Sequence, residues 1–145
     1  MPMPAAIGVI DLMLAVPGED NSQFYEWIKP MLMDQESHDM FKMPAQYMFK
    51  DIPDTGKQED YIAYTLAQMD KHNIERAMVG VGKFGDLNAE AVKRHPDRFF
   101  ASYEANANNG MEEVRTIVAM YEEFGIKAVT AAPAMISPPV PVNDK

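Results

Sequence analysis

The order of its apolar runs constrains this chain more than any other feature. Ile7-Gly-Val-Ile-Asp-Leu-Met-Leu14 is almost continuously apolar and is closed by Pro17-Gly18. A run of this kind reads as a strand covered on both faces, the pattern of a parallel sheet. Further strand-like runs start at Ile74, Arg98 and Ile126, so successive starts lie 67, 24 and 28 residues apart. Each of the last two intervals accommodates one strand and one return helix, and the first carries an insertion. Strands alternating with helices imply a parallel sheet with right-handed crossovers, and all strand C-terminal ends then lie along one edge.

Helical signals fill the intervals. Gln58 to His72 carries the stripe Ile62, Leu66 and Met69 and ends at Asn73, a residue that tolerates the left-handed cap conformation. A second helix is expected from Asp86 to His95, where Pro96 forbids continuation. A third is capped by Asn109, presents Val114, Ile117, Val118 and Tyr121 as its core stripe, and stops at Gly125. The fold class expected is therefore α/β, with parallel β/α repeats amounting to about four strands.

Residues 19–57 lack this periodicity. Asp20 and Gln23 are placed to cap a short helix through Phe24, Trp27 and Ile28, which Pro30 then stops or kinks. Five methionines (Met31, Met33, Met40, Met43 and Met48) accompany Phe41, Tyr47 and Phe49 in this stretch. Such a cluster serves as irregular core filling or as an adaptable, substrate-covering surface. The segment follows the first strand and is the natural lid candidate, with Trp27 and His38 as its substrate-facing residues. His38 lies among Asp34, Glu36 and Asp39, a pattern that also suits a solvated acidic helix face. The end of the chain, 133–145, is proline-rich and reads as extended or loose.

A length of 145 residues suits one domain, here read as a partial β/α barrel. The net charge of −9 opposes binding to a phosphate backbone or an anionic lipid surface, so neither nucleic acid nor membrane is expected as a partner. The absence of cysteine removes disulfides, thiolate metal sites and thiol nucleophiles, and agrees with a cytoplasmic address. The apolar opening from Ala5 to Pro17 is too short to span a bilayer and carries Asp11 at its middle.

Candidate chemistry gathers at the strand ends. Asp11 is a carboxylate inside an apolar run and needs a partner, either as a structural anchor or as a functional group. Lys83 closes the second strand, and Glu104 and Asn106 close the third. These four are the acid–base candidates, set against the plainer reading of exposed loop residues. His72 and His95 sit at helix ends, where capping accounts for them. No Ser-His-Asp order and no phosphate loop is present, and Gly80-Val-Gly82 lacks the third glycine of a dinucleotide fingerprint.

Three stretches carry a family likeness: Arg94-His-Pro-Asp-Arg-Phe99, Met69-Asp-Lys-His-Asn-Ile-Glu-Arg-Ala-Met-Val79, and Gly125-Ile-Lys-Ala-Val-Thr-Ala-Ala-Pro133. In combination and order they resemble the amidohydrolase-related family, TIM-barrel hydrolases and decarboxylases that include aminocarboxymuconate-semialdehyde decarboxylase-like enzymes. The resemblance runs from Ile7 onward, apart from the insertion, and corresponds to the N-terminal half of such a barrel. It implies hydrolysis or non-oxidative decarboxylation of small carboxylated substrates with a divalent metal, zinc or manganese, held partly by an Asp-x-His-x-His motif on the first strand. Here Asp11-Leu12-Met13-Leu14-Ala15 keeps the Asp and replaces both ligands. Met is too soft for such a cation and Ala has no donor, so no cofactor is expected from this chain's own residues. Met13, Ala15 and Thr130 then become substrate-contacting positions. The resemblance implies an enzyme half that is inactive alone. A half-barrel binding or scaffold protein that self-associates through its open sheet edges is the alternative, and a metal-free enzyme using Asp11 and lid residues is a third reading.

Overall fold

A computed structural model describes residues 7–19, 32–40, 56–82, 86–133 and 136–141. One compact unit comprises Met1–Val16 and Ile62–Lys145, and Pro17–Tyr61 forms a second. The larger unit holds β1 (Val9–Leu14), α2 (Tyr61–Lys71, its first residue belonging to the smaller unit), β2 (Ile74–Val81), α3 (Asp86–Arg94), β3 (Phe99–Ala105), a short 3₁₀ turn (Ala107–Asn109), α4 (Gly110–Phe124) and β4 (Ala128–Ala131). The smaller unit holds α1 (Gln35–Met40).

The strands pair in parallel in the order β1-β2-β3-β4 and curl into a half-barrel with helices between them. Local chemistry sets the corners. Asn73 takes the left-handed conformation (φ 57°) after α2. Its carbonyl accepts from the Val9 N–H (3.1 Å) and its Nδ2 donates to the Ile7 carbonyl (2.8 Å), which ties the helix end to the start of β1. Gly125 ends α4 in the same conformation, its N–H donating to the Tyr121 carbonyl.

The stretch from Arg94 to Phe99 is a structural corner. The His95 carbonyl accepts from the Arg98 and Phe99 N–H groups. The Arg98 guanidinium donates to the Glu75 and Ile74 carbonyls (2.9 and 3.1 Å) and pairs with Asp70 at 2.7 Å. It thereby joins α2, β2 and β3 along the N-terminal edge of the sheet. A cavity of about 570 Å³ between Gly8, Asp70, Glu75, Asp97 and Arg98 lies on that edge, where residues of β/α barrels serve stability.

The core lies between the sheet and the helices. Val81, Ala101, Tyr103 and Ile126 are buried against Val92, Ile117, Met120 and Phe124. Odd-numbered residues of β2 and β3 face the helices, so the even-numbered ones line the opposite, inner face.

Two sequence expectations need correction. β1 is not covered on both faces: Ile10, Leu12 and Met13 are exposed, because β1 is an edge strand of the described sheet. Val114, Val118 and Tyr121 are not the core stripe of α4. The helix buries Glu113 and half-buries Ile117, Met120 and Phe124, a face roughly a third of a turn away. The proline-rich end, expected to be extended or loose, is non-helical where it is described. The Val140 N–H donates to the Pro133 carbonyl (2.9 Å), and Asn108 Nδ2 donates to the Pro138 carbonyl (2.9 Å), closing a loop beside the end of β3.

Within the smaller unit, Asp34 Oδ1 and Oδ2 accept from the Ser37 N–H (2.7 Å) and Oγ (2.9 Å) and start α1. These bonds hold the Asp34 carboxyl below its usual range, the backbone bond contributing most. Gln35 Nε2 donates to Asp39 (2.8 Å), and Lys57 pairs with Glu19 (2.8 Å) on the surface.

Candidate functional site

The C-terminal edge of the half-barrel is the place to look for chemistry, since strand-end side chains and the following loops converge there in β/α barrels. Strand register orders the inner face into rows. Met78 lies beside Phe100, Gly80 beside Ser102 and Ala128, and Glu104 beside Thr130. The middle row, beneath the Glu104–Thr130 pair, has only small side chains. Ser102 is buried there, its Oγ donating to the Val79 carbonyl (3.4 Å). Nearer the N-terminal edge, the Arg76 guanidinium stacks over Phe100, 5.6 Å from the ring centroid.

Glu104 is half-buried at the top of this face and makes no hydrogen bond or ion pair among the described residues. Thr130, opposite it on β4, donates through Oγ1 to the Tyr103 carbonyl (3.4 Å) and leaves its oxygen lone pairs open to accept.

The other candidates are placed differently. Asp11 Oδ1 accepts from the Met13 N–H (2.9 Å). This bond sits in a bulge: Asp11 aligns with Ala77 and Leu14 with Val79, so β1 spends one residue more than β2. Leu14 shares the helix-facing side with Val79, and its neighbours Met13 and Ala15 therefore turn to the inner side. Met13 is 94% exposed and Ala15 is exposed as well. Asn106 is occupied as a cap, its Oδ1 accepting from the Asn108 N–H (3.0 Å). His38 is exposed on α1 of the smaller unit. Lys83 and Trp27 lie outside the described residues. Glu104 and Thr130 are thus brought together, whereas Asp11 and Asn106 serve their own backbone.

Two buried polar residues at this edge escaped the sequence reading. Asn88, on α3, accepts from the Val16 N–H (2.9 Å) through Oδ1 and donates to the Gly80 carbonyl (2.8 Å) through Nδ2. It clamps the exit of β1 to the end of β2. Glu113, on α4, accepts from Tyr103 Oη (2.9 Å) and the Asn106 N–H (2.8 Å) at Oε1, and from Asn109 Nδ2 (2.7 Å) at Oε2. Burial, then the bond to Glu113, pushes the Tyr103 hydroxyl up to about 12. The signals were an Asn one turn before the core-facing Ala91 and Val92, and an acid in the first turn of α4. Both position the edge and neither faces its open side.

A divalent metal does not fit the residues seen. Met13 offers a thioether, Ala15 nothing, and Asp11 is engaged by its own bulge. Among the described residues no group of three His, Cys, Asp or Glu is gathered closely enough to hold an ion. No protein-family model, curated protein or solved structure matches this chain. No helix among the described residues is long and apolar enough to cross a membrane.

Proposed function

We propose that this half-barrel is one half of a hydrolase or non-oxidative decarboxylase of the amidohydrolase-related type, acting on small carboxylated substrates, with Glu104 as its acid–base group. Glu104, at the C-terminal edge of the inner face and without a side-chain partner among the described residues, carries this reading. The resemblance of the stretches around Arg94–Phe99 and Gly125–Pro133 supports it. In hydrolysis Glu104 takes a proton from the attacking water. In decarboxylation it delivers a proton to the carbon that loses CO₂. Thr130 accepts a hydrogen bond from the bound substrate, whose body lies over the small side chains of the Gly80–Ser102–Ala128 row. The four described strands leave this edge open to water, and turnover in this reading needs the barrel closed over it.

Benzoate, a minimal aromatic carboxylate, tests this by calorimetric titration. Benzoate should bind weakly to the chain, and Glu104→Gln should tighten that binding by removing like-charge repulsion. Unchanged affinity in Glu104→Gln would place the ligand elsewhere and sink the assignment.

A second reading, a binding or scaffold half-barrel that associates with copies of itself, is favoured by one observation. Large apolar side chains are exposed on both edge strands, Ile10, Leu12 and Met13 on β1 and Val129 on β4.

A further inference from the structure

The exposed apolar side chains of α4 form a regular pattern. Met111, Val114, Val118 and Tyr121 are 69%, 47%, 51% and 62% exposed, and their spacing of three, four and three residues is that of alternating a and d positions over two heptads. The stripe lies along the flank of α4 that faces β4, where Val129 is also exposed. Between helix and strand runs a groove of about 340 Å³ floored by Ile117, Ile126 and Val129. The preceding crossover helix α3 packs against both β2 and β3, and the groove beside α4 is the next position in that outer layer. The described part of the chain after β4 does not fill it, because residues 136–141 are non-helical and run beside the end of β3.

The charges beside the stripe select the occupant. Arg115 and Glu122 take the e positions next to the seam, and both are exposed without an ion pair among the described residues. When two such helices pack antiparallel about a two-fold axis near Thr116, Met111 meets the partner's Tyr121 and Val114 meets the partner's Val118. Arg115 then lies beside the partner's Glu122, and Glu122 beside the partner's Arg115. A parallel pairing would set these charges against Ile117 and Phe124 at the g positions and would leave them unmatched. A self-complementary surface of this kind is what a two-fold dimer requires.

We propose that α4 is a homodimerisation helix, pairing antiparallel with α4 of a second copy along the Met111–Val114–Val118–Tyr121 seam. This rests on the second functional reading, self-association, and specifies its surface and register.

The test is sedimentation equilibrium of the full chain over a wide range of concentrations. The wild type should dimerise in a concentration-dependent way, and Val118→Glu, at an exposed site, should be monomeric with an unchanged circular dichroism spectrum. Arg115→Glu alone and Glu122→Arg alone each set like charges together twice and should weaken the dimer by on the order of tenfold. The double variant Arg115→Glu/Glu122→Arg restores both pairs and should recover wild-type affinity. A dimer that survives Val118→Glu would overturn the α4 surface while leaving self-association standing through the strand edges. Single charge variants that weaken the dimer without rescue in the double variant would overturn the antiparallel register. A wild-type monomer at every concentration would overturn both.

Discussion

The two faces of one sheet do different things. On the helix-covered face, Ala77, Val79, Val81, Phe99, Ala101 and Tyr103 are buried, and the polar groups at its upper end, Asn88, Glu113 and Tyr103, are tied by hydrogen bonds. On the inner face, Met78, Phe100, Glu104 and Thr130 are only partly covered, and Glu104 has no partner among the described residues. Folding energy is therefore concentrated on one side, and chemically uncommitted groups on the other. A carboxylate can be structural or available, and its hydrogen bonds separate the two: Glu113 accepts at least three, and the Glu104 side chain accepts none among the described residues.

Substitutions break this comparison most sharply where burial is deepest. Glu113→Ala strands the Tyr103 hydroxyl, the Asn106 N–H and the Asn109 amide, and should cost about 3 kcal/mol in urea unfolding. The alkaline limb of stability comes next. Tyr103 ionises near 10 when unfolded and only near 12 in the fold, so its contribution is intact below pH 10. Between pH 10 and 12 the unfolded chain releases this proton first, and stability falls by a total of about 2 to 3 kcal/mol. Tyr103→Phe should abolish that share of the slope when the two proteins are unfolded in urea at pH 9 and pH 12. Asn88→Ala leaves the Val16 N–H and the Gly80 carbonyl without partners and should cost about 2 kcal/mol. Glu104→Gln, on the inner face, should change stability by less than about 0.5 kcal/mol. A larger loss there would show that Glu104 is structural and erase the contrast between the faces.

Much of the fold was legible because it follows from periodicity and punctuation. The runs after residues 74, 98 and 126, the stops at Asn73, Pro96 and Gly125, and the parallel order were all readable, and the strands sit within a few residues of those positions. The burial of α4 was not. Val114, Val118 and Tyr121 make as good a stripe as Ile117, Met120 and Phe124, and periodicity does not say which of two apolar faces meets the sheet. The same ambiguity hid the docking stripe. In the site, Glu104 and Thr130 were legible as strand-end residues, but their juxtaposition depends on register across β3 and β4, which no single run of sequence encodes. Asp11 drew attention as a carboxylate in an apolar strand, yet its partner is a backbone N–H two residues away, in a bulge without a sequence signature.

The central claim, that the inner face carries function while the helix-covered face carries the fold, is tested most directly by amide NMR of the ¹⁵N-labelled chain during titration with benzoate. The account predicts shifts confined to the C-terminal edge of the inner face, at Gly80, Glu104, Ala105, Thr130 and Ala131, with the core amides of Val79 and Ala101 unmoved. Shifts gathered instead around Gly8, Asp70 and Arg98 at the opposite edge, or no shifts on the inner face at saturating ligand, would contradict it.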